Sequence, residues 1–303
     1  MERLGVLAAI LSSTLGGTNT AVTRFAIGST DPITLACLRF GLGFLFLLPA
    51  ALALRARWPR GRDWIGVAAL GILFFAIFMS TFNLALRYTT AARGALALAT
   101  LPLLTMIVGA LLRIEPLTVR KTTGVVIAIG GVAVALMTGL ATAPEGAWHG
   151  DLLMIAGAFC MALYNVWSRP FIARSSALGF VVVGMGAGSA CLLAFALASG
   201  GLAASGGFGR PQWIAVLYLA IFGAALTFFL WVYALRHTTP TRVASTITIN
   251  PVTAALLAAP LIGEPLGFNL LVGILGVALG IAIATTTKPL LPAGTSLKKK
   301  GLG

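Results

Sequence analysis

Several polar side chains sit in long apolar stretches where water has little access. Asn19, Asn83, Asn165 and Asn250 each fall inside such a stretch, accompanied by Phe78, Tyr164, Trp167, Thr227, Trp231 and Thr246. Burying an amide without a hydrogen bond is costly, so these groups should turn toward partner helices or a wet cavity. Their chemistry is recognition: amides and hydroxyls can hold the polar head of a small solute, and aromatic rings can receive its apolar part. Thr246 stands one turn before Asn250, and Thr227 and Trp231 share a helix face at i, i+4. The plainer alternative is hydrogen bonding between helices together with an aromatic interface belt, which suits Trp64, Trp148 and Trp213 at stretch ends.

The titratable residues argue against catalysis and metal binding. The seven acids are Glu2, Asp31, Asp63, Glu115, Glu145, Asp151 and Glu264; with His149 and His237 they map to termini or stretch ends. No His/Cys/Asp/Glu cluster forms inside the stretches, so no metal, no cofactor and no enzyme activity is expected. Cys37, Cys160 and Cys191 lack CxxC spacing and read as small packing residues. Gly184-x-Gly186-x-Gly188 has no strand before it and reads as a helix-packing surface.

The elements that must position these residues follow from composition. Hydrophobic residues make up 59% and charged residues 9% of the 303, far from the roughly 25% charged of soluble domains. About 20 apolar residues span a bilayer as a helix. Ten stretches reach that length, at 5–26, 33–54, 64–86, 91–112, 118–140, 149–170, 177–198, 212–235, 241–262 and 267–287. A transmembrane barrel would instead show short alternating segments. The expected fold class is therefore an all-α polytopic membrane protein. With the N-terminus inside, thirteen basic residues fall on cytoplasmic connections and four (Arg24, Arg87, Arg93 and Arg210) on the opposite face. That bias places both termini in the cytoplasm, so the net charge of +14 is a topology signal rather than a nucleic-acid footprint.

Residues 64–131 recur 149 positions later at 213–280. Ala85-Leu86-Arg87 returns as Ala234-Leu235-Arg236, Pro102 as Pro251, and Glu115-Pro116-Leu117 as Glu264-Pro265-Leu266. Five spans per copy force the second copy to enter from the other side. The expectation is two inverted five-helix repeats, residues 1–143 and 144–288, around a central cavity, with a disordered cytoplasmic tail at 289–303. Inversion puts Glu115 near Arg242 on one face and Glu264 near Arg93 on the other, as two gates or staples; each charge could instead only mark a helix end. Pro102 and Pro251 should each free a carbonyl four residues earlier, at Leu98 and Ile247, and serve as hinges or as static bends. The lack of a mid-membrane carboxylate favours facilitated diffusion or exchange over a proton relay, and a mostly neutral pocket suits zwitterions.

Gly16-Gly17-Thr18-Asn19, the Ala-Leu-Arg-x-Thr-Thr turns, the mid-span prolines and the two Glu-Pro pairs resemble the drug/metabolite transporter superfamily in its ten-helix EamA-type branch. The resemblance covers nearly the whole chain. It implies small-metabolite transport, often export from a bacterial inner membrane. Within the branch the chain looks most like the YddG-like exporters of aromatic and other amino acids. The same fold carrying a nucleoside, sugar or drug is the alternative. The implied partners are a small-molecule substrate and the lipid bilayer, with ten spans enclosing a pathway as a monomer.

Overall fold

The computed structural model describes residues 2–27, 31–89, 97–135, 137, 145–253, 256 and 268–285, and no strand occurs among them. The helices are α1 (Glu2–Ile27), α2 (Pro32–Ala53), α3 (Asp63–Gly71), α4 (Met79–Tyr88), α5 (Leu101–Leu111), α6 (Val119–Ala135) and α7 (Ala147–Arg174). They continue as α8 (Ala177–Ala198), the short α9 (Gly201–Ala204), α10 (Arg210–Tyr218), α11 (Thr227–His237), α12 (Pro240–Ser245) and α13 (Phe268–Thr285). Among the described residues, five helical stretches are long and apolar enough to cross a membrane: Pro32–Ala53, Asp63–Ala85, Ala147–Arg174, Ala177–Ala198 and Arg210–His237. They coincide with five of the ten expected spans. Arg93, Glu264 and the tail at 289–303 lie outside the described residues.

Local signals set the helix ends. Asp31 caps α2, its Oδ1 accepting from Ile33 N at 2.9 Å and Thr34 N at 3.1 Å, with Pro32 in the first turn. Ser176 caps α8 by accepting from Gly179 N at 3.0 Å. Arg55 and Arg113 end α2 and α5 in the left-handed region, at φ 49° and 55°. There Ala56 N donates to Ala51 O and Ile114 N to Gly109 O, a closure that glycine usually makes.

Two of the crossing stretches carry a π-helical insert at matching places, Ile72–Phe78 and Leu219–Leu226. Allowing for the 149-residue spacing, the two inserts overlap. A π segment bonds i to i+5, so it disturbs the usual ladder and leaves carbonyls to find other donors.

The prolines act differently from the expected mid-span kinks. Pro102 lies in the first turn of α5, where its missing N–H breaks no ladder bond. The break comes before it, in a turn closed by Thr100 N donating to Ala97 O at 3.2 Å. Pro251 likewise follows a 3-10 turn, Thr246–Thr248, closed by Ile249 N donating to Thr246 O. These two closing bonds are counterparts at the 149 spacing. The chain thus tightens into a turn ahead of each proline while keeping right-handed helical dihedrals at Thr100 and Ile249.

The core is aromatic. Phe40, Phe74, Phe75 and Phe228 meet edge-on or tilted at ring separations of 5.0–5.9 Å, and Tyr164 stacks on Phe74 at 4.3 Å. Glycines bring the backbones together around it. A Cβ at Gly5 would meet His237 and Ala234, and one at Gly150 would meet Ala85 and Thr89. One at Gly43 would meet Ala220 O and Ala224, and one at Gly188 would meet Gly71 O and Phe75. The Gly5–Ala234 contact maps onto Gly150–Ala85, and the Gly43 contacts onto those of Gly188, if the earlier residues shift by 145 and the later ones by 149. The same register turns the Asp31 cap into the Ser176 cap. Between α6 and α13, Gly124 abuts Gly280 while Gly131 abuts Gly273, an antiparallel contact that exchanging the halves leaves unchanged.

Candidate functional site

Two faces of α1 gather most of the polar side chains singled out from the sequence. One face holds Ser12 and Asn19, seven residues apart. Ser12 Oγ donates to Thr227 O at 2.8 Å, and Asn19 Nδ2 donates to Thr227 Oγ1 at 3.3 Å. The Thr227 hydroxyl itself donates to Phe222 O at 2.6 Å, inside the π segment. It can therefore only accept from Asn19, which leaves Asn19 Oδ1 buried and without a partner. The other face holds Ser13, Gly16 and Gly17. Ser13 Oγ shares a hydrogen bond of 2.8 Å with Thr246 Oγ1, and Gly16 lies directly against the Asn250 amide. Asn250 Oδ1 is also unpartnered.

A second group centres on α7 and α11. Trp231 Nε1 donates to Asn165 Oδ1 at 2.9 Å, both residues being buried, while Asn165 Nδ2 has no partner. Tyr164 is buried on Phe74 with its hydroxyl unpartnered, and Phe78 packs near Phe74, Phe82 and Gly157. Buried polar atoms are normally satisfied by protein or water, so these four, of twelve such atoms among the described residues, are candidates for contact with a polar guest or water.

Two expected lining residues stand apart. Trp167 is 43% exposed. It follows Asn165 by two positions, about 200° around the helix, and so faces outward. Asn83 is buried but spends its amide on Pro32 O at 3.0 Å, tying α4 to the start of α2.

The charged pair across the halves is rearranged. Glu115 reaches the expected element, α12, but bonds to Thr241: its Oε2 accepts from Thr241 N at 3.2 Å and Thr241 Oγ1 at 3.0 Å. Its Oε1 pairs with Lys121 at 2.5 Å. Arg242, one residue on, turns away to pair with Glu2. The carboxylate thus meets the exposed N–H groups at the start of α12, which the helix dipole favours. Glu115→Gln should cost about 2–4 kcal/mol, because it breaks a buried ion pair. Glu2→Gln should cost less than about 1 kcal/mol, since Glu2 is half exposed. Thermal melts of the two purified variants check this, and equal losses would count against it.

Arg39 lies outside every group singled out from the sequence. It is seven residues inside α2, and its Nη2 donates to Gly223 O at 2.6 Å in the second π segment. Its only sequence signal is that it is the lone charge within an otherwise uncharged span.

The chain as a whole is similar to known proteins. The EamA-like transporter family matches the chain twice, over residues 3–137 and 148–286. The chain belongs to the EamA-like transporter family. As a member of that family it is membrane-embedded, and the names of family and relatives indicate transporters. The uncharacterized protein PA1977 of Pseudomonas aeruginosa is 31% identical over 289 residues, covering 93% of this chain and 94% of the relative. The uncharacterized inner membrane transporter YedA of Escherichia coli (strain K12) is 26% identical over 278 residues, covering 91% and 89%. The uncharacterized transporter YyaM of Bacillus subtilis (strain 168) is 23% identical over 291 residues, covering 94% and 95%. A solved crystal structure with 21% identity superposes with a TM-score of 0.76 over 93% of this chain and 96% of that one, a likeness of fold.

Proposed function

We propose that this EamA-like transporter is a secondary carrier that exports aromatic and other neutral amino acids and related small metabolites. It works across the bacterial inner membrane by alternating access, through facilitated diffusion and as a monomer. In this reading ten spans form two inverted five-helix repeats with both termini cytoplasmic. The observation that carries it is the pairing of contacts between halves: Gly124 against Gly280 with Gly131 against Gly273, and Gly5 against Ala234 with Gly150 against Ala85. Two equivalent halves around one site are what alternating access needs, since rocking one against the other opens either side in turn. The unpartnered Asn19, Asn165 and Asn250 beside the aromatic core supply polar and apolar lining together. The inner-membrane placement is taken from the similarity to YedA, an inner membrane transporter.

The test is efflux from proteoliposomes loaded with labelled phenylalanine or leucine, with and without a proton gradient. Facilitated diffusion predicts equal rates in both. Movement of nucleosides or sugars in place of amino acids would overturn the cargo assignment. Asn250→Ala should slow efflux about tenfold or more, the loss of one or two hydrogen bonds to a charged head group, at normal expression. Unchanged efflux would remove Asn250 from the pathway.

A further inference from the structure

A guanidinium does not lose its charge in a protein, and an unpaired charge inside a membrane protein is costly enough that it marks a task. Arg39 sits about 10 Å along α2 from Pro32, at 1.5 Å per residue. The described residues give it one hydrogen-bond acceptor, the Gly223 carbonyl, and the Phe40 ring 5.0 Å from its guanidinium, while its buried Nε–H has no acceptor. No described carboxylate pairs with it. Asn19 presents its unpartnered Oδ1 at the same place: a Cβ on Gly223 would lie 2.8 Å from Asn19 Oδ1 and 3.3 Å from Arg39 Nη2. Glycine at 223 therefore lets a cation and a free acceptor close on its backbone together, where a methyl would collide with Asn19 Oδ1.

The opposite half shows that the fold does not need this charge. In the register set by the paired contacts, Arg39 corresponds to Gly184, Asn19 to Tyr164 and Gly223 to Phe74. There Tyr164 stacks on Phe74 at 4.3 Å and the junction closes without a cation. The same helix crossing thus carries a guanidinium and an amide in one half and two stacked aromatic rings in the other.

We propose that Arg39, Asn19 and Gly223 form the head-group subsite of the pathway, and that the cargo must carry a carboxylate. Arg39 takes the carboxylate through its free N–H groups, and Asn19 Oδ1 accepts from a neighbouring ammonium when the cargo is a zwitterion. The inference rests on the transport reading and narrows it. Neutral sugars, neutral nucleosides and purely cationic drugs lack the group the site would pair.

The test separates binding from transport. Purified full-length protein is titrated by thermal shift with phenylalanine and benzoate, and in parallel with phenylalaninamide and benzamide. Arg39→Gln serves as the variant because its amide can still donate to Gly223 O while the charge is gone. Gly223→Ala, whose methyl would collide with Asn19 Oδ1, is the second variant. The carboxylates should protect the native protein, and their apparent affinity should fall about tenfold to a hundredfold in both variants, the loss of a charge-assisted hydrogen bond. The amides should protect weakly and equally in all three. If the carboxylates protect native protein and Arg39→Gln alike, or protect neither, the subsite is wrong. If carboxylates protect but labelled amino acids do not cross proteoliposomes, the subsite stands and the amino-acid export reading fails.

Discussion

Gly131→Leu should destroy the folded protein, whereas Gly130→Leu, one residue away, should leave it intact. The two glycines are identical in the sequence and opposite in their surroundings. A Cβ on Gly131 would fall 2.6 Å from Val277 N and 2.9 Å from Gly273 O, both backbone atoms of α13 that no rotamer change can move. At Gly130 nothing lies within 4 Å, and the residue faces outward. Overpacking a fitted interface costs roughly 1–3 kcal/mol, and collision with backbone exceeds that because helix α13 must move as a whole. Two hydrogen bonds also cross the α6–α13 contact, Arg120 Nε donating to Ile283 O at 3.2 Å and Asn269 Nδ2 to Val134 O at 3.5 Å. Helices in lipid gain nothing from excluding water, so close backbone approach supplies the association. The measurement is monodisperse yield and melting temperature in detergent. Gly131→Leu should give little or no folded protein, and Gly130→Leu should melt within about 1 kcal/mol of native. Similar behaviour of the two would refute the packing described for this seam.

Much of this was legible beforehand, and the reasons differ by feature. The 149-residue recurrence pointed to equivalent halves, and Gly124, Gly131, Gly273 and Gly280 are among the residues that recur and then meet. Five expected spans match helices within a few residues, because a run of apolar residues bounded by Asp31-Pro32 or Ser176 carries its own start signal. Trp167 lies two residues from Asn165, and residues two apart cannot share a helix face, so its outward direction was readable from spacing alone. The π segments have no such pattern. Ile72–Phe78 and Leu219–Leu226 are ordinary apolar sequence, and the extra residue per turn is set by neighbours packing on both sides. Arg39 was hidden for that reason, because its partner is a carbonyl that only the π segment offers. The Glu115 contact was half readable: inversion brings Glu115 to the start of α12, but rotation about that helix decides between Thr241 and Arg242.

That difference between what packs and what binds is sharpest at the Asn165–Trp231 pair, and a set of three variants resolves it. Trp231→Phe should cost about 1–3 kcal/mol, because Asn165 then keeps both ends of a fully buried amide unpaired. Asn165→Leu should cost a similar amount by stranding the indole N–H. The double variant replaces both partners with apolar groups, so its loss should be smaller than the sum, with a coupling of about 1 kcal/mol or more. Stability alone would make the pair a brace for the aromatic core. Transport adds the second axis. Asn165 Nδ2 is unpartnered even in the intact pair, and a donor held in place by Trp231 is how a carrier would keep an amide ready for cargo. Efflux per folded molecule should then remain at least about tenfold down in the double variant while its melting temperature recovers. If efflux recovers along with stability, the pair braces the fold and Asn165 leaves the pathway. If stability is unchanged in all three variants, the hydrogen bond carries no net weight, and the buried core rests on ring packing around Phe74 and Phe228.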